Sequence, residues 1–92
     1  MRTSEVIDKF LNKEFNYKAS NLYSKDNKLI YFKTVIAQWF DDFLLINNTQ
    51  YSRSTSVHQN KLQIEAVNKD IDWDVVYKIP INTNNLKYFY YG

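Results

Sequence analysis

Residues 29–40, Leu-Ile-Tyr-Phe-Lys-Thr-Val-Ile-Ala-Gln-Trp-Phe, are the longest low-polarity run in the chain. β-Branched and aromatic residues fall on both parities of this run, the pattern of a central strand covered on both faces. Such a strand must be the spine of the fold. The next residues, Asp41 and Asp42, form a turn dipeptide, and Phe43-Leu44-Leu45-Ile46 returns as a second apolar strand closed by Asn47-Asn48. The two strands predict a hairpin with a tight connection.

The rest of the chain supplies the covering layers. Val6, Ile7, Phe10 and Leu11 share one helical face, and Thr3 or Ser4 can cap the start, so a short helix is expected over 4–12. Phe15, Tyr17 and Ala19 alternate with polar residues as in a half-buried strand, and 21–28 read as a turn. A helix is expected over 55–69, because Ser56 and Gln59 match a capping box and Val57, Leu62, Ile64, Ala66 and Val67 give an apolar face. Ile71, Trp73, Val75, Tyr77 and Ile79 then alternate with Asp70, Asp72, Asp74 and Lys78, a strand ended by Pro80. Residues 82–85 are a turn, and 86–91 form a last strand or an aromatic tail. The order predicts one α+β domain over 1–92, with a mostly antiparallel sheet of four to five strands and two helices packed on one face.

Ninety-two residues without cysteine exclude a disulfide scaffold, a thiolate metal site and thiol catalysis. No apolar run reaches the roughly 18 residues that span a bilayer, and the N-terminal residues do not read as a signal peptide. A soluble cytoplasmic protein is expected, with no membrane association and no cofactor. A net charge of +2 is too small to mark a duplex nucleic-acid binder. Abundant Asn, Lys, Ile, Tyr and Phe have AT-rich codons and point to an AT-rich genome. Arginine occurs only at Arg2 and Arg53.

Chemistry concentrates in 51–60. A helix start there leaves free N–H groups and a partial positive charge, so Arg53, Ser54, Thr55, Ser56 and His58 are candidates for holding a phosphate or carboxylate. The competing reading is structural: hydroxyls cap helices and bond neighbouring strands. No catalytic residues are assigned, since His58 has only diffuse partners in Ser54, Ser56 and Asp42. A metal site from His58 and the aspartates is disfavoured, because Asp70, Asp72 and Asp74 alternate along one solvated strand face.

Charge is nonetheless asymmetric. Lys9, Lys13, Lys18, Lys25, Lys28 and Lys33 crowd the first part of the chain, and the three aspartates lie later. An acidic strip can engage basic pockets of a nucleic-acid-handling protein, whereas lysines can touch phosphates. Among Tyr31, Trp39, Tyr77, Tyr88, Tyr90 and Tyr91, most rings are needed in the core, but the terminal tyrosines are hard to bury completely.

Leu22-Tyr23, the segment 31–37 and the segment 51–60 together resemble a family of small phage proteins of unknown function. The family pattern is a Tyr-x-Thr-x-Ile-Ala strand, a short hairpin and a Tyr-Ser-x-Thr-Thr-Ser-x-His-Gln junction, which covers about 17–62 here. Ser54 stands where the pattern has threonine and keeps the hydroxyl. The resemblance implies a phage origin and brings no activity with it. The expectation is a non-enzymatic phage accessory protein, acting in the host cytoplasm, monomeric or homodimeric. It would bind and inhibit a host nucleic-acid-handling or defence protein, in an anti-CRISPR or other anti-defence role, through Asp70, Asp72, Asp74, Tyr88, Tyr90 and Tyr91. The alternative is a nucleic-acid-binding module using the 53–58 helix start and exposed tyrosines.

Overall fold

The spine segment is not one strand but two, and the difference sets the topology. In a computed structural model, which describes residues 1–90, the elements are α1 (Thr3–Leu11), β1 (Lys18–Ala19), β2 (Leu22–Lys25), β3 (Lys28–Tyr31), β4 (Thr34–Phe40), β5 (Phe43–Asn47), α2 (Arg53–Asn68) and β6 (Asp72–Val76). A short 3-10 helix, Lys87–Phe89, follows. The six strands form one sheet in chain order, antiparallel from β1 to β5, with β6 parallel to β5. A parallel neighbour needs a long crossover, and the 16 residues of α2 supply it. The α+β class therefore holds, but the sheet is mixed and has six strands instead of the expected four or five.

Two misread segments account for the extra strands. Phe32 and Lys33 take left-handed φ values of 49° and 67°, and they join Tyr31 to its cross-strand partner Thr34. Positive φ at both positions of a two-residue hairpin favours Asn-Gly, so the Phe-Lys pair gives no turn signal. The pair Phe32→Asn with Lys33→Gly is expected to stabilise the domain by about 1 kcal/mol, read as a higher urea midpoint. Residues 22–25, expected as a turn, are strand β2: Leu22 and Ser24 are buried, and the Ser24 hydroxyl accepts the Tyr17 N–H at 3.2 Å. Phe15 and Tyr17 pack on the core from outside the two-residue β1.

A bulge explains why both parities of β4 are apolar. Leu29 pairs with Ala37 and Ile30 with Val35, which leaves Ile36 as the extra residue. Ile36, Ala37 and Trp39 join Leu44 and Ile46 under the helices, against Val6, Ile7, Phe10, Leu11, Leu62 and Ala66. Val35 and Leu45 point to the other face, where Val76, Ile79 and Leu86 cover them. Both helices thus lie on one face, as expected. The segment 79–90 crosses the opposite face without adding a strand, the first of the two alternatives read from sequence. Gln38, 3% exposed, pins it by accepting the Leu86 N–H at 2.8 Å and donating to Asn85 Oδ1 at 3.1 Å.

The helix ends differ from expectation in detail. Arg2, and not Thr3 or Ser4, occupies the cap position of α1, and its N–H donates to the Glu5 carboxylate at 3.1 Å. Ser52, not Ser56, caps α2 by accepting the Thr55 N–H at 3.3 Å. The buried side of α2 is Thr55, Gln59, Leu62 and Ala66. Val57, Ile64 and Val67, expected inside, are 61%, 58% and 63% exposed. At the other end Asp70 adopts φ 56°, and the N–H groups of Asp70 and Ile71 donate to the carbonyls of Val67 and Ala66. That is a Schellman cap with aspartate in the usual glycine place.

Candidate functional site

The 51–60 junction is where the sequence concentrates polar groups, and the fold uses most of them internally. Tyr51 Oη donates to the Ile79 carbonyl at 2.6 Å and accepts from Asn47 Nδ2 at 2.9 Å. Gln59 Nε2 donates to the Asn47 and Thr49 carbonyls at 2.6 and 2.9 Å. Ser52 Oγ lies 2.9 Å from the buried Thr55 hydroxyl and 3.3 Å from Ser54 Oγ, and Tyr31 Oη donates to Ser54 at 3.2 Å. The Ser56 N–H donates to the Ser52 carbonyl at 3.0 Å. The candidate anion set is therefore brought together at one helix start, yet the Ser54 and Thr55 hydroxyls are engaged by Ser52 and Tyr31. Arg53 is exposed, beside Ser52 and Ser56 in an open depression.

His58 is half-buried, its ring edge-on to Tyr31 at 4.7 Å. Desolvation pushes its pKa below the usual 6.5. A histidine with a depressed folded-state pKa binds fewer protons folded than unfolded just below that value, so stability falls as pH drops through that window. His58→Gln is expected to flatten the stability profile below pH about 6.5, measured by urea unfolding at stepped pH. Asp42, considered as an orienting carboxylate, is engaged by Lys13 on the β4–β5 hairpin, and that pairing holds its carboxyl below the ordinary range. The Lys13 ammonium also lies over the Trp39 ring at 4.8 Å, and Lys9 over Tyr17 at 4.7 Å. Part of the basic segment thus serves the fold.

The acidic and aromatic candidates divide. Asp70 is the helix cap just described and does not lie on the strand face with the other two, which corrects the three-aspartate alternation. Asp72 and Asp74 are exposed on β6, in register with Phe43 and Leu45. Tyr90 joins them: its ring lies 5.5 Å from that of Phe43, and its hydroxyl is 3.4 Å from Asp74 Oδ2. Desolvation first and the Asp74 carboxylate second raise its phenol pKa. Tyr88 is 74% exposed, while Tyr91 lies outside the described residues. Of the other rings, Trp39 is buried with Nε1 donating to the Phe10 carbonyl at 2.9 Å, and Tyr77 is exposed beyond β6. Ile79 leaves the expected face because Lys78, at φ 59°, turns the chain and sends Ile79 into the opposite core.

The structure also presents residues that the sequence pattern hid. Ile64, Val67 and Trp73, with Gln63 and Asn68, line an open groove of about 310 Å³ between α2 and the β6 edge. Phe32 stands 57% exposed at the β3–β4 tip, where Tyr31, Thr34, Tyr51, Ser52, Thr55 and Ile81 join it around a pocket of about 220 Å³. The available signal was the polar stripe Thr55 and Gln59, in helical step with Leu62 and Ala66, which already claims the buried side of α2.

Among the described residues, no helix is long and apolar enough to cross a membrane, and no group of three His, Cys, Asp or Glu is placed to hold a metal. Comparisons with protein-family models, with curated proteins and with solved structures found no match to this chain.

Proposed function

We propose that this chain is a small non-enzymatic binding protein of the phage accessory kind. It engages a host nucleic-acid-handling or defence protein, in an anti-CRISPR or other anti-defence role, through the β6 edge. The observation that carries the reading is the placement of exposed Asp72 and Asp74 beside Tyr90 on the last strand of the sheet. Carboxylates there meet basic groups, and a partly exposed tyrosine adds apolar area at low entropic cost. Asp70 takes no part, since its backbone role at the helix end explains it. The test is quantitative mass spectrometry of host proteins captured by tagged protein. Asp72→Asn with Asp74→Asn is expected to lower recovery of the specific partner about tenfold, and Arg53→Ala with His58→Ala to leave it unchanged. Equal recovery by the aspartate variant would sink the reading.

A second reading is favoured by one observation: exposed Phe32 and the α2 start share a pocket edge. A single-stranded nucleic acid would stack a base on Phe32 and set a phosphate near Arg53. Oligonucleotide affinity that falls steeply with salt and is lost in Phe32→Ala and Arg53→Ala would favour this module over the protein binder.

A further inference from the structure

β6 ends the sheet order, and no strand among the described residues lies beyond it. An open edge carries N–H and C=O groups with which another extended chain can pair. The Asn48 N–H donates to the Val76 carbonyl at 2.8 Å, which turns residue 76 toward β5. Alternation along the strand then turns Trp73 and Val75 to the open side. The Val75 N–H is covered by its neighbour, with Asp74 Oδ1 accepting it at 2.8 Å.

The two faces flanking this edge differ in chemistry. On the helix side, Trp73, Ile64 and Val67 bound the apolar groove, and on the other side stand the carboxylates of Asp72 and Asp74. A strand laid beside β6 sends successive side chains alternately to these two faces. Resting on the reading of this edge as the binding surface, we infer that the partner docks by strand addition. Its docking segment is extended, with apolar residues that enter the groove alternating with Lys or Arg that pair with Asp72 and Asp74.

A second copy fits poorly. Two β6 strands paired edge to edge about a two-fold axis would set the aspartates of both copies on one face, and like charges across a strand pair repel. The Asp74 carboxylate acts as a placeholder. In the free protein it occupies the edge N–H and disfavours self-pairing; on docking it is released to a basic side chain.

The test uses the intact protein and a blocked peptide of alternating valine and lysine, about eight residues long to match a strand. Amide NMR is expected to show shifts and exchange protection at Trp73 and Val75, with affinity falling as salt rises. A block-ordered peptide of the same composition should bind about tenfold more weakly, because its side chains cannot alternate. Val75→Pro removes the outward N–H, which an edge strand tolerates, together with part of a side chain that packs against the core, and should weaken binding about tenfold. Should that variant fold poorly, N-methylation of alternate peptide amides tests the same ladder from the other side. Three results would overturn the inference: no binding by the wild type, equal binding of the two peptides, or peptide-induced shifts confined to the α2 start. Dimerisation abolished by Val75→Pro would also overturn it, in favour of a second copy. If Asp72→Asn with Asp74→Asn loses the host partner while Val75→Pro keeps it, strand addition fails and the proposed function stands. If the aspartate variant keeps the host partner, the proposed function itself fails.

Discussion

Gln59→Ala is expected to destabilise the domain by about 2–4 kcal/mol, the largest loss from any polar residue of the junction. Gln59 is 2% exposed, and its amide bridges the carbonyls of Asn47 and Thr49 at the end of β5. Asn47, fully buried, donates in turn to the Val35 carbonyl at 3.0 Å and to Tyr51, which donates to the Ile79 carbonyl. The α2 side chain thus holds the end of β5, and the Asn47 side chain carries the connection on to β4 and, through Tyr51, to the segment that crosses the far face. Truncation strands buried acceptors and opens space that water fills only in part. Ser56→Ala, in the same stretch but half-buried, should stay within about 0.5 kcal/mol of wild type. Urea unfolding of both variants measures the contrast. Similar losses would mean that the junction is stabilised diffusely and not through this hub.

Phe10→Ala should cost about 3–5 kcal/mol. Phe10 is fully buried, with its ring 5.6 Å from Phe15 and 6.4 Å from Trp39. Its carbonyl also receives the Trp39 indole N–H, so backbone and side chain together dock α1 on the sheet. A single domain of this size has only some 5–15 kcal/mol of net stability, so the variant is expected to be largely unfolded at elevated temperature. Fluorescence during urea unfolding, read in a Trp73→Phe background so that Trp39 alone reports, measures it. A loss under about 1 kcal/mol would show that α1 contributes little to the main core.

What could be read from sequence follows from where local and tertiary signals agree. The α1 face and the 71–75 alternation were legible because burial there follows a simple period, and the Phe43–Ile46 strand because its short apolar run is buried on both faces between turn signals. The β3–β4 turn was not, since Phe32 and Lys33 adopt left-handed backbone without glycine or asparagine, and the Ile36 bulge hid the strand break further. β2 was hidden by Ser24, a buried residue whose hydroxyl is satisfied by backbone. On α2, polar Thr55 and Gln59 took the inner side, and Val57, Ile64 and Val67 were left outside. The same inversion reshaped the candidate sites. The conspicuous hydroxyls became internal hydrogen bonds, whereas the β6 edge gained an apolar groove invisible in the aspartate pattern.

The central claim is that binding resides on β6 and that the 51–60 junction is scaffold. Hydrogen–deuterium exchange of the captured complex against the free protein tests this most directly. The account predicts added protection at 72–76, strongest at the Trp73 and Val75 amides, with the 51–60 amides unchanged. Protection confined to 51–60, with β6 exchanging as in the free protein, would contradict it.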